Sequence, residues 1–444
     1  MLLIDNGLVV TCNDKDQVIS GGAVLLEEDK ILEVGSSEEL TGRYPGADRI
    51  DARGRVVMPG LINAHMHLYS TFARGMDLKT PEPPADFQEI LEKLWWRLDN
   101  SLVESQDIYF SALYAIIEGI QNGTTTLFDH HASFGLIDGS LDIIKEAALR
   151  AGIRASLCFE TSDRHGEEAS RAALEENVRF IENIKPEEKS YLQGMFGLHA
   201  SFTLEDRTLK EIGRLAADLE APCHLHVAEG RADVKDSQRR GYENIGERLE
   251  RFDIWQPDTL AVHGVHLSRE EYRMLAKRDC LLVNNPESNM SNAVGSADLP
   301  AAAETGLALA LGTDGYTTDM FESLKVAALL PAHQAEDPRL GGELARQMLF
   351  ETNGKLASRA FGKKLGSLEA GAGADVIIVD YQAPTPLTSD NYFYHILMGM
   401  SGSRVDTTIA RGELLMENRE VKILDHEKFT EECQRQARSF WQRF

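Results

Sequence analysis

Eight short apolar runs, separated mostly by helix-length amphipathic stretches, set the limits on what this chain folds into. The runs are 61–67, 124–129, 153–159, 192–199, 222–226, 259–263, 280–284 and 307–313. They are too short to be helices. Between them lie stripes such as Leu209, Ile212, Ala216 and Leu219, which recur with the period of a helix and not of a strand. Strand and helix in steady alternation call for a parallel sheet covered by helices. Eight such units match a closed (β/α)₈ barrel in number. The competing architecture is an open doubly wound sheet. No GxGxxG loop follows the first run, as a dinucleotide-binding sheet of that kind requires.

The ends of the chain read differently. Short strand signals at 8–11, 23–26 and 31–34, the last two flanking a turn at 27–30, occupy the stretch 1–54, and no helical period appears there. Strand signals return at 374–380, 407–410 and 413–416. Neither segment is long enough to bury a core alone, so the two are expected to pair into a small β-sandwich beside the barrel. The expected division is 1–55 for the first part of the sandwich, 56–369 for the barrel, 370–423 for the second part of the sandwich, and 424–444 for a terminal amphipathic helix.

Charge and cysteine content narrow the function. The net charge of -25 repels phosphate backbones and anionic membranes, which disfavours nucleic acid and lipid as partners. A small, weakly charged substrate fits better. Five scattered cysteines without a CxxC pair argue against a disulfide framework or a cysteine zinc site, and point to a reducing cytoplasm. The stretch 1–7 lacks the basic and apolar regions of a signal peptide, and no run of 18 apolar residues suggests a membrane span.

The chemistry concentrates at the C-terminal ends of the runs. In Pro59-Gly60-Leu61-Ile62-Asn63-Ala64-His65-Met66-His67, two histidines sit two residues apart. Residues at i and i+2 of a strand face the same way, so His65 and His67 form a ready chelate for a divalent metal. Alone, such a pair is equally compatible with a packed core. His226 ends run five, His263 ends run six, and Asp314 follows run eight. Barrel enzymes place their catalytic groups on that rim, whereas chance would scatter histidines over loops and helices, as at His165, His333, His395 and His426.

These motifs, PGLINAHMH, HLHVAEG, AVHGVH and LGTDG, resemble the amidohydrolase superfamily, in particular its aminohydrolase and chlorohydrolase branch with cytosine-, guanine- and adenosine-type deaminases. The stretch 67–76, with 83–87 and 94–97, is most similar to the SsnA group of aminohydrolases, associated with purine breakdown. The resemblance spans essentially the whole chain. It implies His65, His67, His226 and Asp314 as ligands of one divalent metal ion, zinc first and iron(II) as an alternative. It implies Glu229 as the acid/base, His263 as the residue polarising the attacked group, and Asp314 as a further proton acceptor. It also implies His199 as a substrate contact. Two-metal relatives bridge their cations with a modified lysine on strand four; run four has none, which favours a single metal.

Arg74, Trp95 and His131 are further candidates for substrate contact, with Phe87, Trp96, Asn289 and Tyr316 as candidate pocket residues. His224 and His266 read as supporting or packing residues. The expected reaction is hydrolysis of a non-peptide C–N bond in a purine-like heterocycle, by deamination or ring opening. Dechlorination of a triazine-like ring and an inactive scaffold are the alternatives. The resemblance also implies a homodimer or higher homo-oligomer.

Overall fold

The computed structural model describes residues 1–444, and all eight runs contain strand, seven as a single strand and one as two. Leu61–Met66 (here β6, after the five N-terminal strands β1 Leu2–Val10, β2 Val18–Glu27, β3 Lys30–Ser36, β4 Asp48–Asp51 and β5 Val56–Pro59) pairs in parallel with β7, Thr124–Asp129. Next come β8, Arg154–Leu157, and β9, Leu192–Gly194. A second parallel series runs through β10 Phe196–Ala200, β11 Cys223–Val227, β12 Leu260–His263, β13 Leu281–Asn284 and β14 Ala308–Leu311. Run four, expected as one strand over 192–199, is therefore two. It breaks at Met195, with β9 serving one neighbour and β10 the other. A bridge between Thr161 and Leu198 spans the break.

The barrel closes where β14 meets β6. Thr313 N–H and Asp314 N–H both donate to the His65 carbonyl, at 2.9 and 3.0 Å. Gly312 permits that approach, since a Cβ there would lie 2.7 Å from the His65 oxygen. Alternation then sorts the side chains. Ile62, Ala64, Phe128, Leu260, Val262, Leu281, Val283 and Ala310 form an inner apolar cluster, plugged from below by Leu356, Ala357 and Phe361 of the helix Asn353–Phe361. Leu127, Leu225, Ala261, Leu282 and Leu309 belong instead to the large core that includes the helices.

The terminal segments form one nine-stranded sheet. Its order is β18-β17-β16-β15-β5-β1-β2-β3, with β4 beside β1; β15 is Val376–Val379, β16 Val405–Ala410, β17 Glu413–Glu417 and β18 Glu420–Val421. Strand β5, the start of the segment expected to be barrel, pairs with β1 and β15. Two short helices were not legible. Ser37–Arg43, within the N-terminal strand segment, is too short to show a period, although Ser36 caps the Glu39 N–H. Tyr392–Gly399 interrupts the second segment. The tail forms the expected helix, His426–Arg443. All five cysteines are buried and unpaired, and no helix is long and apolar enough to cross a membrane.

One buried ion pair joins the two parts. Arg154, on barrel strand β8 and wholly buried, donates to Asp375 Oδ1 at 2.9 Å. Asp375 also accepts from Arg411 N–H, and its carbonyl accepts from Gly60 N–H just before β6. Removing one partner of a buried pair strands the other charge. Asp375→Ala is therefore expected to destabilise by about 3–5 kcal/mol, whereas the double change Arg154→Met with Asp375→Leu recovers most of that loss. The urea midpoints of the two variants measure the difference.

Candidate metal and active site

The strand ends do not deliver their side chains by simple alternation. The pairing register of β6 slips between Asn63 and Met66. Ile62 and Ala64 face inward with the barrel core, Met66 packs with the outer core, and His65 and His67 turn to the mouth with ring centroids 4.8 Å apart. A register slip re-aims side chains in this way. At the other strand ends the backbone itself turns. Ala228, His263 and Asp314 have φ of 50°, 73° and 58°, in the left-handed region that non-glycine residues enter at a cost of order 1–3 kcal/mol. On β12, Leu260 and Val262 face the inner core, and the turn at His263 brings the next side chain into the site.

The result is one buried cluster. Ligand atoms of His65, His67 and His226 lie within 4.8 Å of one another, as do those of His65, His263 and Asp314. His67 Nε2 lies 3.1 Å from Asp314 Oδ1 and 3.2 Å from His226 Nε2. Each imidazole is gripped from behind. His67 Nδ1–H donates to the His130 carbonyl at 2.6 Å, and His226 Nδ1–H to the His199 carbonyl at 3.0 Å. His65 Nδ1 pairs with His224 Nε2 at 2.8 Å, which gives His224 its supporting place. A carbonyl can only accept, so in His67 and His226 the proton sits on Nδ1 and the Nε2 lone pair faces the centre.

These residues fit a divalent cation. Three imidazoles and one carboxylate are the donor set such ions take. His65 Nε2 is buried with no hydrogen-bond partner, as is His263 Nε2. The facing lone pairs of His67 and His226 require positive charge between them. A proton can supply it: burial pushes His67 down, but the hydrogen bond and charge of Asp314 outweigh burial and raise it to about 9. A divalent cation supplies it equally. Burial pushes His65 down to about 3, and His226 also falls well below its ordinary range. Asp314 stays well below the carboxylate range, because the His65 and His67 interactions overcome its burial.

Beside this cluster stand Glu229 and His263. His263 Nδ1 is held by Asn289 Oδ1 at 2.7 Å, and its Nε2 lies 3.4 Å from Glu229 Oε2 and 3.6 Å from Asp314 Oδ2. Burial pushes the Glu229 carboxyl up to about 7, with His263 opposing and Asp314 adding to the rise. Ser288 Oγ donates to Asp314 Oδ2 at 2.6 Å, and Asn292 to Glu229 Oε1 at 3.2 Å.

A cavity of about 290 Å³ opens over these groups. His67, His226, Glu229, His263 and Asp314 line its floor. Its wall comes from the segment 87–101, where two helical pieces flank a π-helical turn, Leu91–Trp95. Trp95 and His199 line the cavity, as do Phe87, Trp96 and Tyr316.

Arg74 and His131 do not reach it. Arg74 is half exposed, forms a two-pronged pair with Glu118, and lines instead a smaller neighbouring cavity of about 150 Å³ together with His67, Trp95, Asp314 and Tyr316. His131 is wholly buried, bonded to Ser133 Oγ at 2.8 Å and packed edge-on against Tyr69. Asn289 serves the site through His263. The structure adds lining residues not singled out from sequence: Tyr69, Asp99, Glu160, Phe202, Ser288 and Asn292. Glu160 directly follows run three and Ser288 lies shortly beyond run seven, so the strand-end rule that exposed His263 applies to them too.

A closed parallel barrel whose C-terminal rim gathers three imidazoles, an ionised aspartate and a buried glutamate defines a divalent-metal hydrolase. The model of the Amidohydrolase family matches residues 56–415, and an imidazolonepropionase-like composite domain of bacteria matches residues 22–47. The chain belongs to the amidohydrolase family, and it is a hydrolase acting on C–N bonds other than peptide bonds. It is 33% identical to a 5'-deoxyadenosine deaminase of Methanosarcina mazei, covering 98% of this chain and 97% of that one. It is 31% identical to a 5-methylthioadenosine/S-adenosylhomocysteine deaminase of Moorella thermoacetica, with 93% of each covered. A zinc-bound adenosine deaminase from Xanthomonas campestris has the same fold, with a TM-score of 0.86, 23% identity and coverage of 100% and 99%.

Because a cation must displace the proton that His67 otherwise holds below about pH 9, metal binding near neutral pH is expected to release about one proton. Titration calorimetry of zinc into metal-free protein, in buffers of different ionisation enthalpy, reads that number. A value of zero would contradict the arrangement.

Proposed function

We propose that the protein removes the exocyclic amine of a 6-aminopurine nucleoside, with His65, His67, His226 and Asp314 holding one zinc ion. The observation that carries the reading is the contact chain Glu229–His263–Asp314, set at 3.4 and 3.6 Å beside the histidine cluster. Relatives that align over nearly the full length are named as deaminases of adenine nucleosides.

A bound cation supplies Lewis acidity and lowers the pKa of adjacent water to roughly 7. The protein's own groups handle protons and position. Asp314 is kept ionised and offers a carboxylate oxygen to a proton of the attacking water. Glu229, raised to about 7, populates both protonation states near neutrality. In its acid form it protonates the ring nitrogen N1 while the water oxygen bonds to C6 and the C6–N1 double bond becomes single. His263 has its Nδ1–H committed to Asn289, so Nε2 is the nitrogen that faces the reacting centre, where its lone pair accepts a hydrogen bond from the attacking water and orients it. Collapse breaks the exocyclic C6–N bond. The amine takes the proton that Asp314 received from the water and leaves as ammonia, the C6 hydroxyl returns its proton to Glu229, and the ring keeps a carbonyl oxygen at C6 and hydrogen on N1. Trp95, Trp96 and Phe87 offer flat apolar faces to the purine, and His199 offers Nε2, its Nδ1 being held by Thr203.

Triazine hydrolases share the fold at a TM-score of 0.81 and 21% identity, which bears on architecture only. Incubating the zinc-loaded enzyme with adenosine, 5'-deoxyadenosine, guanine and oxidised aminopurines, with ammonia and ultraviolet spectra followed together, tests the reading. Stoichiometric ammonia with a 6-oxopurine spectrum is expected. Loss of the purine chromophore without that product would indicate ring opening instead. Glu229→Gln should lower kcat/KM on the order of 10²–10⁴-fold, with substrate still bound. Retention of full activity by this variant would remove Glu229 from the mechanism.

A further inference from the structure

Two carboxylic acids that the chemistry above leaves idle also line the cavity. Asp99 lies in the helix Trp96–Ser101, and Glu160 stands just past β8. Both bind one nitrogen of a single guanidinium: Arg164 Nη2 donates to Asp99 Oδ2 at 3.0 Å and to Glu160 Oε1 at 2.8 Å. The side chains of Asp99, Glu160 and Arg164 are only 2%, 4% and 9% exposed. Arg164 lies over the Trp96 ring at 4.7 Å and is not part of the lining, so the cavity meets the carboxylates.

Their second oxygens set the chemistry of this wall. Asp99 Oδ1 is buried without a partner. Glu160 Oε2 lies 3.7 Å from His130 Nδ1, which is itself buried without a partner. An acceptor left unmatched in a dry wall is costly unless a ligand's donor answers it. One guanidinium balances one carboxylate, so the cluster has no spare positive charge for an anion. Between the two acids Arg164 already occupies the cationic place; the metal-type neighbours of Glu160 are His130 and His226, whose ligand atoms lie within 4.8 Å of it and of each other.

We propose that Asp99 and Glu160 form a specificity subsite that takes the hydroxyl or N–H donors of an uncharged substrate and turns away substrates bearing a carboxylate or phosphate at that end. This rests on the reading of the cavity as the binding place of a nitrogen heterocycle. It deepens that reading by fixing the charge of the part of the substrate remote from the reacting carbon. Like charge brought face to face in a buried wall is strongly disfavoured. A hydrogen bond to a charged acceptor contributes about 1.5–3 kcal/mol, equivalent to roughly tenfold to a hundredfold in affinity.

The test compares adenosine, its 5'-phosphate and its 5'-carboxylate on zinc-loaded wild type, Glu160→Gln and Asp99→Ala, by calorimetric affinity and by kcat/KM. Wild type should bind adenosine at least about 50-fold more tightly than either anion. Glu160→Gln should tighten both anions by about tenfold while moving adenosine less than about threefold. Asp99→Ala should weaken adenosine by about tenfold and narrow the gap to the anions from the other side. Thermal unfolding checks that each variant is folded, and if one is not, the other reads the same subsite. Equal wild-type affinity for adenosine and its phosphate, or an equal change for all three ligands in Glu160→Gln, overturns the inference. Charge selection in binding without any ammonia release would overturn the deaminase reading and leave the subsite standing. Deamination without charge selection would do the reverse.

Discussion

The carbonyl oxygen of His65 is where fold and chemistry meet. It accepts the two N–H groups, of Thr313 and Asp314, that close the barrel. The residue whose backbone seals the cylinder is also the one whose imidazole faces the cluster, and one of the two donors carries the carboxylate on the opposite side. First and last strands stand at opposite ends of the barrel's sequence, and the closure is what holds their functional ends in register. Gly312 has no substitute in this arrangement, since any side chain would strike the His65 backbone. The close approach of two strands thus fixes the distance between a histidine and an aspartate that face one buried cluster.

A second set of contacts makes the cluster rigid before anything binds. His67 and His226 are each pinned through Nδ1 to a backbone carbonyl, and His65 to a buried histidine that in turn approaches Cys158 Sγ. The carbonyls belong to His130 and His199, residues at the ends of neighbouring strands, so rotation of an imidazole would require movement of the barrel rim. The left-handed conformations at Ala228, His263 and Asp314 belong to the same design. Each is unfavourable alone and persists because the surrounding sheet holds it. Preorganisation of this sort keeps the cost of assembling the site within the folding of the barrel, apart from the reaction itself.

These facts separate what the sequence could disclose from what it could not. Eight apolar runs, the HxH pair, a glutamate three residues past His226 and an aspartate after the last run were all visible, because strand period and strand-end position are local properties. The break at Met195 was not, since nothing in the run 192–199 marks it and its two halves differ only in which neighbour they pair with. The same holds for the slip between Asn63 and Met66: alternation from Ile62 would send Met66 inward, and only the pairing shows otherwise. Arg74 and His131 sit in the right stretches of chain, but their directions depend on their partners, Glu118 for one and the packing around Ser133 and Tyr69 for the other. The Asp99–Glu160–Arg164 cluster joins residues far apart in the chain whose common feature is a shared cavity wall.

The wall and the floor of the site are built on different principles. The floor rests on strand ends fixed by the barrel ladder. The wall, segment 87–101, lies outside that ladder and includes a π-helical turn, in which each residue adds less rise and the Trp95–Trp96 pair is re-aimed. Its support comes from the far end of the chain. Arg97 donates to the carbonyls of Leu78 and Phe444 and lies 4.1 Å over the Phe444 ring, while Trp441 Nε1–H reaches the Phe72 carbonyl at 2.7 Å and Arg443 grips Asp107. The terminal helix therefore buttresses the aromatic wall from behind, as β14 buttresses His65. A cation cluster must be held to tenths of an ångström, and strand ends do that. A surface that receives a planar ring needs shape and polarity more than absolute stiffness, and a braced loop provides both.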